Sequence, residues 1–78
     1  MKDPELLEVL ALIRDIPEYD LRCGEIGTVV EVYDRSHVEV EFVEDTGYTK
    51  ALLTLPTTHL RRLEPQELAA ARAATSGK

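Results

Sequence analysis

Apolar and polar residues alternate in three successive runs through the middle of the chain, the period of strands with one buried face. The first run is Thr28-Val29-Val30-Glu31-Val32-Tyr33, launched from a turn at Gly24 and Gly27. The second is Val38-Glu39-Val40-Glu41-Phe42-Val43, and the third runs from Thr49 to Leu55. A three-residue hairpin loop at Asp34-Arg35-Ser36 sets Val32 opposite Val38, Val30 opposite Val40 and Thr28 opposite Phe42. A four-residue loop at Glu44-Asp45-Thr46-Gly47 then sets Phe42 opposite Thr49, Val40 opposite Ala51 and Val38 opposite Leu53. Both hairpins bury the same face. A slip of one residue in either would drive Glu39 or Glu41 into the core, so the pattern predicts a three-stranded meander.

The flanks supply the remaining elements. Asp3-Pro4-Glu5 reads as a helix start, Asp3 as N-cap and Pro4 at the first helical position, followed by a turn or two at most. Val9 to Arg14 is apolar enough for a first strand, and Asp15 to Asp20 is a loop in which Pro17 blocks ladder pairing. Leu21 is the apolar anchor before the glycine turn. Pro56 ends the third strand of the meander, Pro56-Thr57-Thr58-His59 suits a short 3₁₀ turn, and Leu60 to Leu63 suits a last short strand. The pattern makes Val9–Arg14 and Leu60–Leu63 the sheet edges, where a second copy of the chain would pair. Five strands with a 3₁₀ turn before the last describe a small, mostly β, partly open barrel over residues 1–64. Residues 65–78 form an alanine-rich tail, a frayed helix or disordered, with Pro65 in its first turn, Leu68 as its one large apolar anchor and a loose end at Thr75-Ser76-Gly77-Lys78.

Composition narrows the classes of function. Seventy-eight residues make one domain, and its single cysteine cannot form an internal disulfide. A lone thiol without a signal peptide points to the cytoplasm, and the apolar runs are far too short to cross a bilayer. The net charge is −6 with a pI near 4.8, which repels phosphate backbones and favours a neutral or basic partner. Aromatic residues make up 5% of the chain, so a base-stacking platform would rest on Tyr19, Tyr33, Phe42 and Tyr48 alone.

Candidate chemistry is sparse. In the register above, the outward face of the meander carries Val29, Glu31, Tyr33, His37, Glu39, Glu41, Val43, Tyr48, Lys50 and Leu52. Glu41 lies opposite Lys50, and Glu31 opposite Glu39. Three of these residues, Val29, Val43 and Leu52, make the face more apolar than solvation requires, so it is the candidate docking face for a protein, with a tail lying over it as the plainer alternative. The glutamates have no evident cleft in which to work as an acid–base pair, and His37 and His59 lack metal-ligand spacing. Cys23 beside Gly24 reads as a small loop residue, with no arrangement that would make His37 or His59 its base. Gly24, Gly27 and Gly47 serve backbone geometry, since no Lys-Ser/Thr follows to complete a phosphate loop. Arg61 and Arg62 are adjacent on a strand and point to opposite faces, so they do not form one basic patch. Three tyrosines are few for a groove that holds a proline helix.

The segment Gly24-Glu25-Ile26-Gly27-Thr28-Val29-Val30-Glu31-Val32-Tyr33 resembles the opening of many small barrels of the Src-homology-3 and KOW type. Together with Glu8-Val9-Leu10-Ala11-Leu12, Ile16-Pro17, Val38-Glu39-Val40-Glu41-Phe42 and Ala51-Leu52-Leu53-Thr54-Leu55, it resembles the bacterial domain-of-unknown-function family 4926 over about Leu6 to Leu63. That resemblance implies a small Src-homology-3/KOW-like β-barrel, with no catalytic residues or cofactors to carry over. It also implies a small stand-alone protein, in some genomes encoded beside toxin-like proteins, and hence a cognate protein partner. The expectation is therefore a non-enzymatic interaction module, antidote-like, regulatory or accessory, with no cofactor. The alternative is a KOW-like module associated with RNA or the ribosome.

Overall fold

The computed structural model describes residues 3–76, with side chains through Ala71. Five antiparallel strands form one open sheet: β1 (Val9–Leu12), β2 (Ile26–Val32), β3 (His37–Val43), β4 (Thr49–Pro56) and β5 (Leu60–Arg62), in the order β4-β3-β2-β1-β5. One helix follows, α1 (Pro65–Ser76). The architecture is mostly β, as the pattern predicts, and a 3₁₀ turn at Thr57–His59 leads into the last strand. That turn forces the sheet to curl. Across a flat five-stranded sheet the two edges would stand roughly 19 Å apart, whereas three 3₁₀ residues advance only about 6 Å.

The core lies on the concave side. It gathers Leu10 and Leu12 of β1, Val29 of β2, Val38, Val40 and Phe42 of β3, Ala51 and Leu55 of β4, Leu60 of β5 and the loop residue Leu21. The unbroken apolar run of β1 has its reason in the topology. β1 is not an edge but sits between β2 and β5, so Ala11 on its opposite side is buried as well. The open edges are β4 and β5.

Two bulges correct the registers expected from the alternation. Val32 pairs with Val38 and Glu31 with Glu39, as counted from the first hairpin. The ladder then shifts at Val30, so that Val29 pairs with Val40 and Thr28 with Glu41. The extra residue reverses the phase of everything before it: Val29 and Gly27 face the core, and Thr28 faces out. At the second hairpin Phe42 pairs with Ala51, Val40 with Leu53 and Val38 with Leu55, two residues beyond the expected partners, with a bulge beside Val43. From Ala51 to Leu55 a slip of two keeps each side chain on its expected face, so the core survives while the pairs change; before the bulge, Thr49, expected inward opposite Phe42, turns outward instead.

The ends also differ from expectation. Asp3 and Pro4 do not begin a helix. Glu5 to Glu8 close a single turn, with Glu8 N–H donating to the Glu5 carbonyl at 3.1 Å. Leu7 holds the left-handed conformation there (φ 67°), unusual for a bulky residue, and its N–H donates to the Val29 carbonyl at 2.7 Å. At the other end α1 is a continuous helix through Thr75 and Ser76, where a loose tail was expected; Gly77 and Lys78 lie outside the described residues. Pro65 occupies its first position and Glu67 folds back to accept the Glu64 N–H at 2.8 Å, half of a capping box.

Candidate functional site

The convex face of β2, β3 and β4 brings together most of the residues nominated for docking. β2 contributes Glu31, with Tyr33 just beyond it; β3 contributes Glu39, Glu41 and Val43; and β4 contributes Leu52. Tyr33, Val43 and Leu52 are each about half exposed (54%, 52% and 52%). Three nominated residues fall elsewhere. Val29 is wholly buried, because the bulge at Val30 turns it inward. Tyr48 stands in the β3–β4 turn, largely exposed and off the ladder. Lys50 occupies the second bulge and turns away from Glu41 to reach Glu25 at 3.4 Å.

Threonines, which the shifted register brings in, take the places left open. Thr54 pairs with Glu39, Leu52 with Glu41, and Thr28 with Glu41 from the other side. The Thr49 hydroxyl donates to a Glu41 carboxylate oxygen at 2.6 Å. The Tyr33 hydroxyl donates to Glu39 Oε1 at 3.1 Å, which pushes the phenol above its usual value because the carboxylate holds its proton. The only sequence signals for these placements are paired apolar residues, Val29-Val30 and Leu52-Leu53, where the strict alternation breaks.

The face is acidic and lacks internal compensation. Glu31 and Glu39 stand directly opposite one another, with Glu41 two residues along β3. Among the described residues none of the three forms an ion pair. Hydroxyl donors serve Glu39 and Glu41, but no cation does. Several basic side chains are committed elsewhere: Arg61 grips both carboxylate oxygens of Glu67 at 2.9 and 3.0 Å, and Arg62 pairs with Glu8. Arg35 pairs with Asp3 at 3.5 Å, and Arg14 donates to His59 Nε2 at 3.0 Å.

The other candidates do not assemble. The Cys23 backbone N–H donates to Asp15 Oδ1, and its thiol is exposed in the loop. His37 meets Asp34 at 3.3 Å and His59 meets Arg14, so neither histidine is positioned on Cys23. Asp34 is held below its usual value, chiefly by the Ser36 N–H and then by His37, an arrangement that shapes the hairpin loop. Among the described residues no three His, Cys, Asp or Glu side chains converge as metal ligands. No helix there is long and apolar enough to cross a membrane. The surface depressions are shallow. One of about 320 Å³ is lined by Asp20, Glu25, Val43, Glu44, Asp45 and Lys50. Another, of about 230 Å³, lies between the Glu5–Glu8 turn, β5 and α1 and is lined by Leu7, Glu8, Val9, Arg62, Leu63 and Leu68. Leu68 thus places the start of α1 beside β5, while Tyr33, Val43 and Leu52 on the meander stay half exposed.

Among the described residues the three glycines, Gly24, Gly27 and Gly47, divide by cause. Gly24 and Gly47 take positive φ (95° and 93°) with open space around them. Gly27 is required by a close approach, since a Cβ there would lie 2.5 Å from Val40 Cγ1 and 2.8 Å from Phe42 Cε1.

No curated protein and no solved structure matches the chain. One family does: residues 6–62, from the Glu5–Glu8 turn through β5, match the family described as Domain of unknown function (DUF4926). The match takes in all five strands and both glycine turns, and on it the chain belongs to that family.

Proposed function

We propose that this chain is a non-enzymatic protein-interaction module of the cytoplasm, regulatory, antidote-like or accessory to a larger protein. Its docking surface is the convex face of β2, β3 and β4. The strand order and the 3₁₀ turn before β5 favour a Src-homology-3/KOW-like reading of the fold, a scaffold without a deep cleft. One observation carries the functional reading: half-exposed Leu52, Val43 and Tyr33 lie among Glu31, Glu39 and Glu41, which form no ion pair among the described residues. An apolar centre with an uncompensated acidic rim fits a partner surface that offers an apolar centre ringed by lysine or arginine. At a net charge of −6 the whole chain adds to that attraction.

The test is capture of partners on tagged protein in the native host, with and without nuclease, in wild type and in Leu52→Glu. A stoichiometric protein that withstands nuclease and is lost with Leu52→Glu, at a nearly unchanged Tm, is the expected result. Normal capture by Leu52→Glu moves the interface off this face. Nuclease-sensitive RNA replaces the reading with the KOW-like one, against the commitment of Arg61 and Arg62 to Glu67 and Glu8.

A further inference from the structure

The two edges of the sheet are finished differently. β5 is three residues long, carries Arg61 and Arg62, and has α1 tied beside it through Glu67. β4 is eight residues long, roughly 26 Å of extended chain. Its protective devices sit only at its ends, the bulge at Lys50 and the proline at 56. Between them Ala51-Leu52-Leu53-Thr54-Leu55 has neither charge nor proline, the kind of edge that soluble proteins ordinarily cover.

Hydrogen bonds at both ends of the β3–β4 ladder show which backbone groups are open. Thr57 N–H donates to the Ser36 carbonyl at 2.8 Å, which makes His37↔Pro56 a non-hydrogen-bonded pair. Glu44 N–H donates to the Tyr48 carbonyl at 2.8 Å, which does the same for Val43↔Thr49. Alternation inward from Pro56 places Leu53 and Leu55 in hydrogen-bonded pairs, while the N–H and C=O of Leu52 and Thr54 point away from β3. No backbone group among the described residues meets them.

We infer that an extended segment of a partner protein, alternating basic and apolar residues, adds to β4 as a sixth strand along Ala51–Leu55. This rests on the protein-docking reading above and names how that partner engages. Residues of the added strand opposite Leu52 and Thr54 share the convex face with Glu41 and Glu39, which are their cross-strand partners on β3. Two strand spacings, roughly 10 Å, separate those backbones, a span that a lysine or arginine and a glutamate bridge between them. The intervening residues of the added strand point to the concave side beside half-buried Leu53 and are apolar. Charge selects this occupant over a second copy of the chain, which would place Leu52 and Thr54 opposite the edge, supply no cation and double the charge of −6.

The experiment uses the full chain, an end-blocked decapeptide of alternating lysine and valine, and its glutamate–valine counterpart, with amide hydrogen exchange and oligomeric state as readouts. In the free protein Leu52 and Thr54 amides exchange quickly while those of Leu53 and Leu55 are protected. At saturating lysine–valine peptide, exchange at Leu52 and Thr54 slows about tenfold or more, and the glutamate–valine peptide has no effect. Thr54→Pro removes an outward N–H that serves no bond to β3, so it abolishes peptide binding while the Tm stays within a few degrees. Should Thr54→Pro fail to fold, a lysine–valine peptide N-methylated on alternate residues serves instead and must not bind wild type. Absence of binding, or binding with unchanged exchange at Leu52 and Thr54, overturns the inference. So does protection of those amides in the free protein by a dimer. A captured partner lost with Leu52→Glu yet retained by Thr54→Pro overturns strand addition and leaves face docking standing; a partner retained by both overturns both.

Discussion

At the scale of single residues, Gly27 and Gly24 separate two uses of glycine that look alike in the sequence. Gly27 lies under Phe42 and Val40, with no room for a Cβ. Gly27→Ala overpacks a core of small volume and is expected to lower stability by about 1–3 kcal/mol, with Gly27→Val costing more. Gly24→Ala meets only the backbone strain of positive φ and should cost about 1 kcal/mol. Urea midpoints with unchanged m-values check both, and equal losses would contradict the distinction. The backbone role of these glycines was legible from the run of β-branched residues that follows them. The placement of Val29 was not. Counting outward from a hairpin assumes an unbroken ladder, and the bulge at Val30 leaves no mark in alternation except two apolar residues in succession. Gly27 is the residue that resolves the phase, because a glycine beneath an aromatic ring belongs on the core side.

At the scale of elements, faces were easier to read than partners. Val38, Val40, Phe42, Ala51, Leu53 and Leu55 all lie on the side expected, because the true register of β3 and β4 differs from the counted one by two residues and strands repeat every two. Turn length decides which carboxylate meets which hydroxyl, and Glu44 to Tyr48 close a loop longer than four residues once Lys50 bulges out. The helix shows the opposite case, in which a local signal set more than composition suggested. Alanine content alone left the tail undecided, yet Glu64-Pro65-Gln66-Glu67 places a proline at the first helical position and a carboxylate three residues after the cap. Glu67 is held down to about 2 by Arg61, and further by the Glu64 N–H. A depressed carboxylate stabilises the folded arrangement above its unfolded value of 4.5, and that contribution is lost as pH falls through about 2. Helical ellipticity is therefore expected to decline between these values, reversibly, and Glu67→Gln should show the low-pH signal already at neutral pH. A pH-independent helix signal in wild type would remove the pair from the account of α1.

At the scale of the whole molecule, the question is whether α1 belongs to the folding unit. The family match ends at residue 62, and the sheet closes with β5 at Arg62. Among the described residues the core draws on the strands and Leu21 and on no side chain of α1. Among the described side chains, the helix meets the sheet through the Arg61–Glu67 pair, both more than a third exposed, and through Leu68 over the shallow depression beside Leu63. Exposed ion pairs contribute little because water screens them, and one half-buried leucine contributes less than a buried one. A chain ending at Glu64 is therefore expected to fold, with the same amide protection along β1–β3 and a Tm only a few degrees lower. It should also keep the outward face of β2–β4 and the β4 edge, since β4 and β5 stand at opposite ends of the strand order. Thermal melts of the full and shortened chains decide the matter. Failure of the shortened chain to fold would make α1 part of the domain, covering the β5 edge much as the added strand is inferred to cover β4. A folded shortened chain would leave the helix a separate appendage of a sheet whose uncovered edge is β4.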